Sequence, residues 1–292
     1  MYAPTKGRSR LREAISKTYT PLSGCRTNPE TEVLVTTGAN EGMLSVLMAF
    51  LNPGDELHAP LELVAPCRKY LDDYRMAEGV MQCVPLRTPA KTDIAIWSST
   101  EWTINFVEVE QSITSRTKMI VMNTPHNPSG KVFSREELWH ISDICVRHNL
   151  LVLRDEEAAA AAYEQSLYNG SWSQTRTLVR EEIVRLCQVF QEWGFAYTIP
   201  EGGYFVLVNL AKVQIPREYR LPPYICERRR EFLLAWFLIM ELGVAAIPAS
   251  EFYSPEHACL GEKYLRLAVC QGDDILDLAK ARLRGLQVYL TA

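Results

Sequence analysis

Two short apolar runs, separated by a turn-rich loop and a helix signature, constrain the fold of this chain more than any other feature. Lys118–Asn123 (KMIVMN) and Leu150–Asp155 (LLVLRD) are continuous hydrophobic runs of the length found in buried parallel strands. Between them, TPHNPSGK provides a rigid turn, and Ser134 with Glu137 forms the S-x-x-E capping pattern that opens a helix to about His148. A similar unit lies upstream. A strand expected at Glu32–Thr37 ends in Gly38-Ala39-Asn40, and Met43, Leu44, Leu47, Met48 and Leu51 then mark a helix closed by Asn52-Pro53-Gly54-Asp55. With further strands at Glu56–Ala59 and Val80–Leu86 and a helix over residues 9–19, the pattern indicates a doubly wound α/β lobe.

After Asp155 the rhythm changes. EEAAAAAYEQ starts as helix with no loop before it, and helical periodicity continues to about Gly194. A strand (GGYFVLVNL), the Pro-rich linker VQIPREYRLPPY, a helix at Glu227–Leu242, a strand at Tyr264–Cys270 and a helix at Asp273–Leu290 complete the chain. Two lobes are expected, residues 1–165 and a smaller α+β lobe at 166–292.

Composition excludes several classes of function. Thirty-one Lys and Arg against 35 Asp and Glu give a net charge of -4, with no basic stripe interleaved with aromatics, so nucleic acid is not an expected partner. Eight cysteines occur without C-x-x-C pairs or histidines at zinc spacing, which argues against a metal site or a disulfide framework and for reduced thiols in the cytoplasm. The longest uncharged apolar run, Phe232–Met240, is shorter than the roughly 20 residues of a membrane span. The basic start, MYAPTKGRSRLR, has no apolar stretch behind it and is not expected to be a secretory signal.

Ligands of open α/β sheets bind beyond the carboxyl ends of the strands, where three candidate motifs fall. Gly38-Ala39-Asn40 presents backbone N–H groups at a helix start, suited to a phosphate but equally to an ordinary turn. Asn127 sits in a rigid Pro/Gly loop, where a plain structural role is the default. Asp155 ends a strand and is placed either to pair with a protonated pyridine nitrogen or to cap the following helix.

Six stretches, in order, resemble the successive motifs of the kynurenine aminotransferase and cysteine-conjugate β-lyase branch of the class I/II aminotransferases: YAPTKGRSRLREAI, NPETEVLVTTGANEGMLSVLMAFLNPGDE, TKMIVMNTPHNPSGKVFSREEL, PEGGYFVLVNL, LAWFLIMELGVAAIP and GEKYLRLAVC. The resemblance implies the fold-type I architecture of pyridoxal 5′-phosphate (PLP) enzymes, with amino-group transfer from an aromatic or sulfur-containing amino acid to a 2-oxo acid. It also implies site roles. Gly38, Ala39 and Asn40 match the loop that binds the PLP phosphate, Asn127 the asparagine on the ring hydroxyl, and Asp155 the aspartate on the ring nitrogen. Arg266 matches the arginine that grips the substrate carboxylate, and Tyr2 a tyrosine that reaches the neighbouring subunit's phosphate in a homodimer.

The departures from that pattern are equally informative. Where relatives continue from the strand aspartate into a segment carrying the Schiff-base lysine, a G-W-R arginine and two strands, this chain passes directly from Asp155 into EEAAAAAYEQ, which begins at Glu156-Glu157. No catalytic residue is therefore assigned, and Lys131 matches a different lysine. Leu57–Arg68 has no Phe, Tyr or Trp where relatives place a ring over the cofactor. The large lobe is expected to lack part of its sheet, and PLP binding to be weak or absent. The resemblance leaves open an impaired enzyme, a non-catalytic partner of the same fold, or a splice or gene-model fragment.

Overall fold

The computed structural model describes residues 4–59, 76–88, 96–155 and 171–290. Tyr2, the Glu156–Gln165 run, the lobe boundary near residue 165 and the ring-less stretch beyond residue 59 lie outside them. The elements that position the site are α1 (Ser9–Ser23), α2 (Ala39–Phe50), β1 (Glu56–Ala59), β2 (Val80–Cys83), β3 (Trp97–Ser98), α3 (Phe106–Gln111), β4 (Thr117–Asn123), α4 (Arg135–His148), β5 (Leu151–Asp155), α5 (Ser171–Glu192), β6 (Thr198–Ile199), β7 (Phe205–Asn209), α6 (Arg230–Phe237), β8 (Ile247–Pro248), β9 (Tyr264–Ala268) and α7 (Asp273–Leu283).

Four strands form a parallel sheet in the order β2-β1-β4-β5. KMIVMN makes β4 as its composition predicts. Met119, Ile120, Val121 and Met122 are all buried, as a strand covered on both faces requires, and each contributes about 1.5–3 kcal/mol by leaving water. The crossover helix α4 also starts where the capping pattern places it: the Ser134 hydroxyl accepts from Glu137 N at 3.1 Å, and the Glu137 carboxylate accepts from Ser134 N at 2.8 Å. It ends at Asn149 in the left-handed region and lays Ile141, Ile144 and Cys145 on the sheet.

Two expectations for this lobe are corrected. LLVLRD forms a strand, but not a buried one. Among the described residues β5 pairs only with β4, and Leu151 and Val152 are 45% and 49% exposed. An apolar groove of about 520 Å³, lined by Met122, Leu138, Cys145, Val146 and Val152, lies beside it. Second, Glu32–Thr37 makes no strand at all. Its Val35 N–H donates to the Lys6 carbonyl at 3.2 Å instead. Both corrections have one physical cause. Strand formation and strand burial require a neighbour to pair with the backbone and cover the faces, and the described sheet stops at β5.

The C-terminal half is built on the antiparallel sheet β7-β9-β8. Side chains alternate between its faces. Leu207 and Tyr264 join the core of the parallel sheet together with Phe252, while Val206, Val208, Leu265 and Leu267 join a second core with Phe190 of α5 and Leu276 and Leu283 of α7. The helix expected at Glu227–Leu242 is α6 followed by a π turn at Leu238–Leu242, and that expected at Asp273–Leu290 tightens to a 3-10 turn after Leu283. The short parallel pairing of β3 with β6 was not legible in the sequence.

Candidate cofactor and substrate site

The site is assembled at the carboxyl end of β4. Asn123, the last residue of that strand, is buried and faces Asp155 across the β4/β5 ladder. The chain then turns through Thr124–Lys131, with Thr124-Pro125 and Asn127-Pro128 both cis. Within the turn, the His126 N–H donates to the Lys131 carbonyl at 2.7 Å and the Gly130 N–H to the His126 carbonyl at 2.6 Å. The Gly130 carbonyl in turn accepts from the Ser99 hydroxyl at 3.1 Å and from the backbone N–H groups of Glu201 and Gly202 at 3.0 and 3.1 Å. The loop carrying Asn127 is thereby fastened to the segment that leads into β7.

Arg266 reaches the same loop from β9. Its Nη1 donates to Asn127 Oδ1 at 2.8 Å, and its guanidinium carbon lies 3.9 Å from the Phe205 ring centre and 4.8 Å from that of Phe252. A guanidinium stacked on rings loses little further rotamer freedom when it binds a carboxylate through its edge. Asn127 and Arg266, 139 residues apart in sequence, are thus one unit. Asp155 joins them through the strand register, and its carbonyl accepts from Asn123 Nδ2 and from Thr124 N–H, each at 3.2 Å.

Gly38, Ala39 and Asn40 form the exposed start of α2. The Thr36 hydroxyl donates to the Gly38 carbonyl at 2.9 Å, and the Glu41 carboxylate accepts from both the backbone and the hydroxyl of Thr37, which holds it below the usual carboxylate range. Among the described residues, no hydrogen bond links Gly38, Ala39 or Asn40 to Asn127, Asp155 or Arg266. Three of the expected ligand-binding residues, Asn127, Asp155 and Arg266, are tied together through Asn123 and the β4/β5 register.

By donor chemistry the corner suits the ring of PLP: an amide for the ring hydroxyl, a carboxylate for the ring nitrogen and a guanidinium for a substrate carboxylate. For covalent attachment, several of the described lysines are committed elsewhere. Lys131, the lysine of the Asn127 loop, is 3% exposed and committed to Glu137 at 3.0 Å. Lys118 lies at the opposite end of β4 from Asn123, about 17 Å away at the rise of a strand. Lys6, Lys212 and Lys280 are bonded to Glu30, the Gly194 carbonyl and Gln188. Thiols offer no substitute nucleophile in the core, since burial raises Cys145 and pushes Cys187 up to about 12. Asn123, Phe205, Phe252 and Ser99 were missed in the sequence. For Asn123 a signal existed: an amide at the carboxyl end of a parallel strand, four residues before Asn127.

The aminotransferase class I and II family model matches residues 1–157. The probable kynurenine–oxoglutarate transaminase BNA3 of Saccharomyces cerevisiae is 34% identical over 361 aligned positions, which cover 99% of this chain and 80% of the relative. The kynurenine–oxoglutarate transaminase of Dictyostelium discoideum is 25% identical, covering 98% and 83%. The crystal structure of Bna3p from Saccharomyces cerevisiae superposes with a TM-score of 0.91 at 33% identity, covering 99% of this chain and 84% of that one. With the Asn127–Arg266 corner in place, these matches establish that the chain belongs to the class I and II aminotransferases, a PLP-dependent family.

Proposed function

We propose that this chain is an aminotransferase whose activity is impaired because the segment bearing the cofactor-holding lysine is absent from its interior. The observation that carries this reading is the state of β5. A strand of central-strand composition stands at the described edge of the sheet with two apolar residues about half exposed, where Asp155 is followed at once by Glu156 and Glu157. Two comparisons support it. The family match stops two residues past Asp155, and the alignment with BNA3 spans 361 positions against 292 residues here, so at least 69 of those positions face gaps in this chain.

When bound, PLP supplies an electron sink for moving an amino group. Arg266 would grip the carboxylate of the incoming amino acid or 2-oxo acid, Asn127 would orient the ring through its hydroxyl, and Asp155 would keep the ring nitrogen protonated. By resemblance, the missing segment would carry the lysine that moves the proton from the substrate's α-carbon, a contribution of roughly 10²–10⁴-fold. Ring binding is then expected to be weak and reversible.

The names of the relatives favour kynurenine as donor and 2-oxoglutarate as acceptor, and the motif resemblance extends the donor to other aromatic or sulfur-containing amino acids. We further place the chain in the cytoplasm as a homodimer in which Tyr2 reaches the neighbouring subunit, with lobes at 1–165 and 166–292. Cys145, Cys187, Cys226, Cys259 and Cys270 are free thiols, in keeping with a reducing compartment, and no described helix is long and apolar enough to cross a membrane. One hydrophobic core lies wholly within residues 166–292, while the other joins residues of 1–165 with Leu207, Phe252 and Tyr264. Transfer from kynurenine to 2-oxoglutarate, assayed with added PLP, is expected to run at least about 10²-fold below the Dictyostelium discoideum enzyme. Comparable turnover would remove the basis for impairment.

A further inference from the structure

Asn127 and Asp155 belong to different segments, a loop and the end of a strand, yet a ring-binding corner needs them at a fixed spacing. One buried side chain touches both. Asn123, 1% exposed, accepts from the Asn127 backbone N–H through Oδ1 at 2.6 Å and donates through Nδ2 to the Asp155 carbonyl at 3.2 Å. The β4/β5 register runs up to Asp155 itself, with Asn123 lying opposite it. The Thr124 N–H adds a second bond to the Asp155 carbonyl, but it makes none to the Asn127 amide.

We propose that Asn123 is the positioning residue of the ring-binding corner, its single amide fixing the Asn127 loop and the Asp155 strand end relative to each other. This rests on reading Asn127 and Asp155 as ring-binding residues. The amide is used at both ends, oxygen to one segment and nitrogen to the other, so neither an aliphatic nor an acidic replacement reproduces it. Alanine loses both bonds. An ionised aspartate keeps an acceptor for the Asn127 N–H and sets a second acceptor against the Asp155 carbonyl.

The test uses the full chain and two readouts. Amide hydrogen exchange needs no ligand. In Asn123→Ala the Asn127 N–H is expected to exchange about tenfold faster while Val121, in the centre of β4, is unchanged; in Asn123→Asp, at a pH where the carboxyl is ionised, Asn127 protection is retained. Binding of pyridoxine 5′-phosphate, which has no aldehyde and so makes no demand for a lysine, is expected to weaken about tenfold in Asn123→Ala, with loss of the absorption of the ring protonated at nitrogen. Unchanged Asn127 exchange, or equal affinity and spectrum in wild type and Asn123→Ala, overturns the role of Asn123. Absence of binding by the wild-type chain overturns the ring-binding reading on which it rests, while the exchange measurement still decides whether Asn123 ties the two segments.

Discussion

Inserting, after Glu157 where the family match ends, the segment that follows the strand aspartate in a relative such as Saccharomyces cerevisiae BNA3 is expected to raise amino transfer by about 10²–10⁴-fold. Two effects combine in that figure. The insert returns an amine that can both hold the cofactor and carry the α-proton, the part of the reaction that Asn127, Asp155 and Arg266 cannot perform. It also supplies backbone to pair with β5, which has one neighbour among the described residues, and apolar surface to cover Leu151 and Val152, which are about half exposed. The second effect has its own readout. The β5 amides should gain protection in the chimera whether or not the assay registers turnover, so failure to fold and failure of the chemistry are separable. A chimera with protected β5 amides and turnover within about threefold of the parent chain would mean that the missing segment is not what limits activity.

Gly130→Ala should destabilise the chain by about 2–4 kcal/mol. Gly130 has a φ of +72°, where an L side chain is strained by about 1–2 kcal/mol, and an added Cβ would lie 2.2 Å from Pro200 Cβ and 2.8 Å from Pro200 Cα. The obstruction is on the rigid ring of a proline in a backbone-bonded segment, so it cannot simply swing aside. Relief requires moving the Gly130 carbonyl, which accepts from Ser99, Glu201 and Gly202 and fastens the Asn127 loop to the chain entering β7. The loss should appear as a lower urea midpoint, accompanied by altered exchange at Asn127. A change below about 0.5 kcal/mol would show that this junction is more plastic than its contacts indicate.

The parts of this fold that were legible in the sequence are those whose signals are local. Ser134 and Glu137 cap α4 three residues apart, and the apolar run of β4 is buried because its neighbours β1 and β5 lie within the described chain. Glu32–Thr37 and LLVLRD carry equally clear local patterns, yet one makes no strand and the other makes an exposed edge, because pairing partners are a property of the whole sheet. The same division holds at the site. Asn127, Asp155 and Arg266 were singled out by motif position and resemblance, but the Asn127–Arg266 hydrogen bond, the stacking on Phe205 and Phe252 and the Asn123 bridge are contacts between distant segments that no spacing rule encodes.

The most direct measurement is covalent capture. The full chain is incubated with PLP, reduced with borohydride and digested, and its lysine peptides are weighed. With the cofactor-holding lysine missing, the expected result is no single peptide carrying the pyridoxyl group in stoichiometric amount, only trace labelling spread over surface lysines. One lysine labelled stoichiometrically, and protected from labelling by a competing 2-oxo acid, would contradict the account at its root.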